Sequence, residues 1–394
     1  MKKQIITLYN WLCLLVGVCM MSGCIEEYEA DIPADDSDIL VVEGSICASQ
    51  KNTFILTRTM ALNSKESPQK VWGAHVSIHG SDGSEYVAVD TGGNYTCEVG
   101  ELSPDVEYYL RIEVDGEVYE SEPQKPLRTE KIEDVRGMQL TPDSHIDILV
   151  TPAAPLNPDE VNYYSWTYDE TWEVHPAFQI FQYFDTETLM PDFISSPFPV
   201  RGWFDATGSS IMVGSSASYE GHHIQQLKMY DIDRRDERVW FRYSGLVHQR
   251  AITKAEYEYD MARRQAGSEM GGLFTPQPSA LPSNIHCLTS GKRVIGYVGC
   301  SLNTSEYRFF LNAEDFSIKT PRIEDTLIWL NDCSEYDCRK MVNDGLYLCI
   351  WEDNRMTGGT LRTSWAYEYQ LDVRLRGAYI EAPDFWLLQE NVSY

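Results

Sequence analysis

Cys24 is the residue whose surroundings specify a chemistry most sharply. It follows Met20-Met21-Ser22-Gly23, with Lys2 and Lys3 at the start and an apolar run from Leu12 to Met21 interrupted by Gly17. A charged start, a short apolar run and small residues at the junction are the parts of a secretory signal peptide. The run is also too short to span a bilayer. A thiol directly after Ser-Gly reads as a bacterial lipobox: the sulfur is diacylated, residues 1–23 are removed, and Cys24 becomes the first residue. The bland alternative is an ordinary secreted protein with a chance cysteine.

Seven further cysteines stay in the mature chain: Cys47, Cys97, Cys287, Cys300, Cys333, Cys338 and Cys349. Outside the inner membrane cysteines usually pair, and an odd number leaves at least one over. Cys47 and Cys97 fall in one predicted unit and are the natural candidate disulfide. Cys333-x4-Cys338 with Cys349 reads as a disulfide region rather than a zinc site, because no histidine is near and the spacing fits no ribbon or finger. There is no Gly-x-Ser-x-Gly elbow, His-Glu-x-x-His, Walker loop or dinucleotide fingerprint. His222 and His223, adjacent on a strand, would point apart. His248, beside Tyr243-Ser244-Gly245, reads as a structural histidine rather than half of a Ser–His pair. Carboxylates are too common for any pair to be informative. We therefore expect no catalytic residue, no metal and no cofactor.

The elements that must carry these residues are mostly strands. Ile39–Val42, Phe54–Thr57, Ala74–Ile78 and Asn94–Val99 are short apolar or alternating runs. Tyr108–Val114, Asp115-Gly116 and Glu117–Glu120 make the clearest hairpin, since Asp-Gly supplies the positive φ angles of a two-residue turn. These predict an immunoglobulin- or transthyretin-like β-sandwich over residues 38–125, behind an acidic tether over 24–37. After a Pro-bearing connector, a larger β-rich domain is expected over 132–394, so the fold is mainly β with minor α. One helix is signalled near 254–266 by the capping box Thr253-Lys254-Ala255-Glu256 and the stripe Ala255, Tyr259, Ala262, Ala266, with Gly267 to end it. Residues 271–279 read as a turn-rich loop, 331–349 as irregular and stapled, and Trp365–Leu375 as a late strand. Between Trp172 and Phe204 lies an aromatic-rich, Pro-broken stretch with Phe181, Tyr183 and Phe184. Its rings either offer a surface for a partner or ligand, or fill a core beneath a long loop.

Charge excludes some partners. The formal charge is −28, and loss of a leader with two lysines and no acid makes it −30. Such a surface repels phosphate backbones, and it lacks a basic patch for anionic lipid, so acyl chains on Cys24 must do the anchoring.

Taken in order, several stretches resemble a Bacteroidota outer-membrane lipoprotein family classed as domain of unknown function 4249. They are the lipobox, Leu40-Val41-Val42-Glu43-Gly44, Leu56-Thr57-Arg58-Thr59, Gly73-Ala74-His75-Val76 and Tyr163-Tyr164-Ser165-Trp166. They continue from Tyr243-Ser244 through Glu256-Tyr257, Gly271-Gly272-Leu273-Phe274 and Cys287, and end at Pro383-Asp384-Phe385-Trp386. The chain departs from the family's Cys-x-Asp-Cys-Arg run, reading Gln370-Leu371-Asp372-Val373-Arg374; both thiols are missing together, as when a structural crosslink is lost. Glu26 and Glu27 look like the surface-export signature of such lipoproteins, which implies an anchor facing the cell exterior. The resemblance further implies association with a SusC-like TonB-dependent receptor, and no catalytic residue. The reading is a non-enzymatic accessory or binding subunit of a TonB-dependent transport system. Its rivals are a structural subunit of an outer-membrane assembly and a surface hydrolase with an unrecognised site.

Overall fold

Alternation decides the first core. Along Tyr108–Val114, the side chains of Tyr108, Leu110, Ile112 and Val114 are buried while Glu113 is exposed. Asp115 (φ 52°) and Gly116 (φ 77°) then turn the chain into Glu117–Ser121. The computed structural model describes residues 38–59, 68–268, 283–321 and 326–390. The leader, Cys24, Glu26, Glu27 and the loop expected over 271–279 lie outside the described residues. Within them strands predominate, as expected.

Two five-stranded sheets enclose the first core. One runs Val294–Gly296, Leu40–Glu43, Gln50–Arg58, Asn94–Val99, Val89–Asp90; the other runs Ile285–Cys287, Glu117–Ser121, Tyr108–Val114, His75–Gly80, Glu85–Val87. Phe54, Leu56 and Tyr95 from the first meet Ile78, Leu110 and Tyr119 from the second. The sandwich is thus not confined to 38–125. Residues 285–301 return to it, adding a strand to each sheet and a parallel pairing of Ile46–Cys47 with Cys300–Ser301. Gly296 (φ 154°) permits this closure, because a Cβ there would stand 2.5 Å from the Val42 carbonyl oxygen.

The expected Cys47–Cys97 disulfide is not formed, and all seven described cysteines are free. Cys97 belongs to the sandwich core. Cys47 instead takes its electrostatic surroundings from Arg250 and Glu256, at the seam with the next sheet, and its neighbouring thiol there is Cys300. Asn52, opposite Cys97 in the strand register, occupies the space beside Cys47, accepting from its N–H at 2.7 Å.

The second core lies between a three-stranded sheet (Ile132–Gln139, Ile146–Pro152, Leu227–Ile232) and an antiparallel one ordered Gly202–Thr207, Tyr163–Val174, Arg242–Ile252, Ser305–Asn312. Tyr164, Trp166 and Tyr168 face it together, as their spacing predicts. Trp166 Nε1 donates to Gln249 Oε1 at 2.8 Å, which satisfies both buried polar groups.

The helix spans Lys254–Ser268, so Gly267 lies inside it. Thr253 Oγ1 accepts from the Glu256 N–H at 3.1 Å, as a cap should, but the Glu256 carboxylate binds Arg250. Asp260, one turn on, is 15% exposed. Burial, then the Glu256 carboxylate, push its carboxyl up to about 6. That exceeds the unfolded value of about 3.9, so folding takes up a proton between these pH values. The resulting stability is fully present below about pH 4 and is lost as pH rises through 6. Asp260→Asn is therefore expected to stabilise the protein by about 1–3 kcal/mol at pH 7.5 and to leave it unchanged near pH 4, read from urea unfolding at the two pH values.

A third core collects Phe184, Cys338, Leu346, Leu348 and Trp365. Its sheet is Ile328–Asn331, Leu361–Tyr367, Leu346–Asp353. Residues 331–349, expected to be irregular, contain the helix Glu335–Asn343. The late strand ends at Tyr367 rather than at Leu375, followed by the short helix Glu368–Leu371 and a 3-10 turn Val373–Arg376. Gln370 Oε1 accepts from the Tyr367 N–H at 2.9 Å where the helix begins, and Asp372 caps the 3-10 turn, its carboxylate accepting from the Arg374 N–H at 2.9 Å and from the Arg374 side chain at 2.7 Å. The two positions where the resemblance has thiols are structural here. Gln370 Nε2 donates to the Thr326 carbonyl at 2.6 Å, and Val373 packs with Val174 and Ala378.

Candidate functional site

Strand alternation splits the three rings expected to act together. Phe181 is 60% exposed and Tyr183 41%, whereas Phe184 is 3% exposed. Phe184 is therefore core and not a contact residue: its ring centroid lies 5.8 Å from that of Trp351 and 6.3 Å from that of Trp365. The rings sit on a hairpin, Gln182–Asp185 and Met190–Phe193. Asp185 shapes its tip by accepting from the Glu187 N–H at 2.8 Å and from Thr188 Oγ1 at 3.0 Å. The Ile194 N–H donates to the Phe181 carbonyl, so Ile194 stands beside Phe181. Met190, Phe193 and Ile194 are exposed as well. Two bonds hold the hairpin to its module: Gln182 Nε2 to the Cys349 carbonyl at 3.2 Å, and Arg339 Nη2 to the Thr186 carbonyl at 3.1 Å. Phe193 and Ile194 belong to this surface although the sequence reading did not select them; the alternation of Phe181 and Tyr183 against buried Phe184 is the signal that separates outward from inward.

A second feature lies on the outer face of the central sheet, a cleft of about 590 Å³. Register places Thr207, Asp169, Leu246 and Arg308 in one cross-strand row, with Asp205, Thr171 and Ser244 in the next. Tyr379, Pro383 and Phe385 form its wall. Asp205 Oδ1 accepts from Thr171 Oγ1 at 2.7 Å and from the Tyr379 hydroxyl at 2.9 Å. Asp169 accepts from Thr207 Oγ1 at 2.8 Å. The Arg308 guanidinium lies 3.6 Å from the Phe385 ring centroid and donates to Ser244 Oγ at 3.1 Å. Burial holds Arg308 below its ordinary pKa. Acceptors and one stacked cation, each fixed by neighbours, are equipment for holding a polar group. The residues come from four strands and the chain terminus, and no local motif announces them.

His248 stands at the edge of this cleft between two carboxylates, Nε2 at 3.1 Å from Asp169 and Nδ1 at 3.2 Å from Glu306. Ser244, its imagined partner, is engaged by Arg308. Among the described residues no hydroxyl or thiol hydrogen-bonds to His248. His222 and His223 point to separate carbonyls, those of Ser216 and Pro152. Among the described residues no group of three or more His, Cys, Asp and Glu is placed to hold a metal ion, and no helix is long and apolar enough to cross a membrane.

The sequence profile described as "Domain of unknown function (DUF4249)" matches residues 25–307. The chain belongs to this family. The DUF4249 match takes in the sandwich with its returning strands, the aromatic hairpin, Asp169, Asp205 and His248. It stops short of Arg308, Tyr379 and Phe385, so the terminal Pro383-Asp384-Phe385-Trp386 stretch lies outside it. No curated protein matches the chain. Among solved structures, trypsin-activated alpha-2-macroglobulin from Escherichia coli is similar at 10% identity over 56% of this chain, with a TM-score of 0.18. The chain spans 15% of that protein's length.

Proposed function

We propose that this DUF4249 chain is a lipid-anchored outer-membrane protein facing the cell exterior, an accessory or binding subunit of a TonB-dependent transport system rather than an enzyme. Acyl chains on Cys24 hold it in the membrane, Glu26 and Glu27 direct it outward, and a SusC-like receptor is its partner. The observation that favours a binding role is the hairpin. Phe181 and Tyr183 are exposed on a support fixed from behind by Phe184. Exposed aromatic side chains on a rigid base are the usual anchors of protein contacts. Confinement to one membrane adds effective concentration, so a modest contact suffices for stable association.

The informative variant is Phe181→Ser with Tyr183→Ser, leaving Phe184 in place. Replacing Phe184 as well would empty core volume and confuse unfolding with lost contact. The double variant is expected to keep its unfolding midpoint while co-purification of the receptor in mild detergent falls at least about tenfold. Undiminished co-purification would remove the hairpin from the contact. A wild-type preparation that brings down no β-barrel receptor would count against the transport reading itself.

A further inference from the structure

Helix Glu335–Asn343 opens with a reciprocal cap. Ser334 Oγ accepts from the Asp337 N–H at 3.3 Å, and the Asp337 carboxylate accepts from the Ser334 N–H at 2.9 Å. In such a start the residue before the cap and the fourth residue of the helix face each other, and an apolar pair commonly fills the two positions. Here both are cysteines, Cys333 and Cys338, and their sulfurs are 3.0 Å apart. Both are buried in one cluster with Leu346 and Trp365, whereas Cys349 belongs to a different one with Ile180 and Leu371. The Cys349 sulfur faces the Tyr347 carbonyl at 3.7 Å.

We infer that Cys333 and Cys338 close a disulfide across the helix start, and that this clasp stiffens the support of the aromatic hairpin. The same helix donates from Arg339 to the Thr186 carbonyl in the hairpin turn, and Cys338 shares its cluster with Phe184. The oxidant is a disulfide of a thiol–disulfide exchange partner. One cysteine thiolate attacks a sulfur of that disulfide, breaking its S–S bond and releasing one thiol. The second thiolate then attacks the mixed disulfide, forming Cys333–Cys338 and releasing the other thiol. The two cysteines lose two protons and two electrons, and the partner's two sulfurs become thiols. Burial, then the adjoining Cys333, push the Cys338 thiol well above its ordinary range. Thiolate is therefore scarce in the folded protein, so closure accompanies folding and the closed bond is slow to exchange. The bond itself does not depend on the proposed transport role; only its bearing on docking rests on that reading.

The test uses the full-length protein refolded in a glutathione redox buffer, then denatured and alkylated with iodoacetamide without reduction. Trypsin yields one peptide, ending at Arg339, that holds both cysteines and no other. It is expected to be two hydrogens lighter than the dithiol and unalkylated, with Cys349 alkylated. Two alkyl groups on that peptide, or a crosslink from either cysteine to Cys349, would overturn the pairing. Chymotrypsin cleavage at Phe181, Tyr183 and Phe193 is then compared between oxidised protein and the same protein reduced with dithiothreitol. Cleavage about tenfold faster after reduction is expected. Equal rates would overturn the coupling to the hairpin. Neither readout involves a receptor, so failure of the co-purification above leaves this result standing.

Discussion

Glu256→Gln is expected to destabilise the protein by about 3–5 kcal/mol, because it leaves a guanidinium buried without its counter-charge. Arg250 lies two residues before the end of the long strand Arg242–Ile252, and Glu256, six residues on, lies in the first turn of the following helix. Two guanidinium nitrogens of Arg250 donate to the carboxylate, at 2.5 and 3.2 Å. The Glu256 side chain is 5% exposed and that of Arg250 15%. The pair is pressed against the returning segment so closely that Gly299 has no room for a Cβ. Burial alone would lower the Arg250 pKa, but the carboxylate outweighs it and holds the cation above its ordinary value. The pair sits beside Cys47 and Cys300, where the sandwich meets the central sheet. Its loss should therefore loosen both. Urea unfolding of Glu256→Gln measures the cost, and Arg250→Met with Glu256→Leu should recover most of it, since a paired apolar replacement strands no charge. A loss below about 1 kcal/mol in the single variant would mean that water reaches the guanidinium.

That ion pair also marks where the sequence stops being legible. The capping box was readable in Thr253-x-x-Glu256, and the threonine half is real. The acid half is diverted, because a carboxylate beside a buried guanidinium gains more than one bonded to a neutral N–H. Local pattern likewise gave the hairpin at Asp115-Gly116 and the inward face of Tyr164, Trp166 and Tyr168. It also marked Arg293–Val298 as a strand, where Val294–Gly296 forms, but it could not give the strand Ile285–Cys287 or the return of both to the sandwich. Their partners lie more than 160 positions away, and pairing at that range leaves no periodic trace. Cys47 and Cys97 show the same limit: membership of one sandwich does not decide which way a thiol faces. Helix Glu335–Asn343 was written in Ser334-x-x-Asp337, but with aspartate where glutamate or glutamine is the stronger signal, and with cysteines that suggested an irregular stapled loop. In the aromatic stretch the prolines hide an alternation of period two, and only burial separates Phe184 from Phe181 and Tyr183. The polar cleft is the extreme case, assembled by register from four strands and closed by the terminus.

Trp386→Ala is expected to cost about 3–5 kcal/mol, the range for truncating a fully buried tryptophan. Trp386 lies on the helix Asp384–Glu390 with no exposed surface. Its ring meets Trp203 edge-on at 6.2 Å and Phe310 at 5.8 Å, and the Arg242 guanidinium lies 5.1 Å from its centroid. These partners belong to both edge strands and one inner strand of the central sheet, so a single side chain pins the terminus across the sheet's width. A second attachment is shorter. Trp203 and Tyr379 exchange backbone hydrogen bonds at 2.8 and 3.1 Å, and Tyr379 then reaches Asp205. With Trp386 gone, these few bonds must hold a segment that has lost its apolar anchor, and Phe385 loses its seat over Arg308. Two measurements separate the consequences. Thermal unfolding should show the lost stability, with Trp386→Phe retaining much more of it than alanine because an aromatic ring still fills part of the site. Hydrogen exchange should show faster opening of the Trp203 and Tyr379 amides in the alanine variant, well before exchange of the Tyr108–Val114 strand in the distant sandwich changes. If both regions open together at equal rates, Trp386 secures the whole molecule and not the terminus alone; if neither changes, its ring is dispensable and the packing argument is wrong.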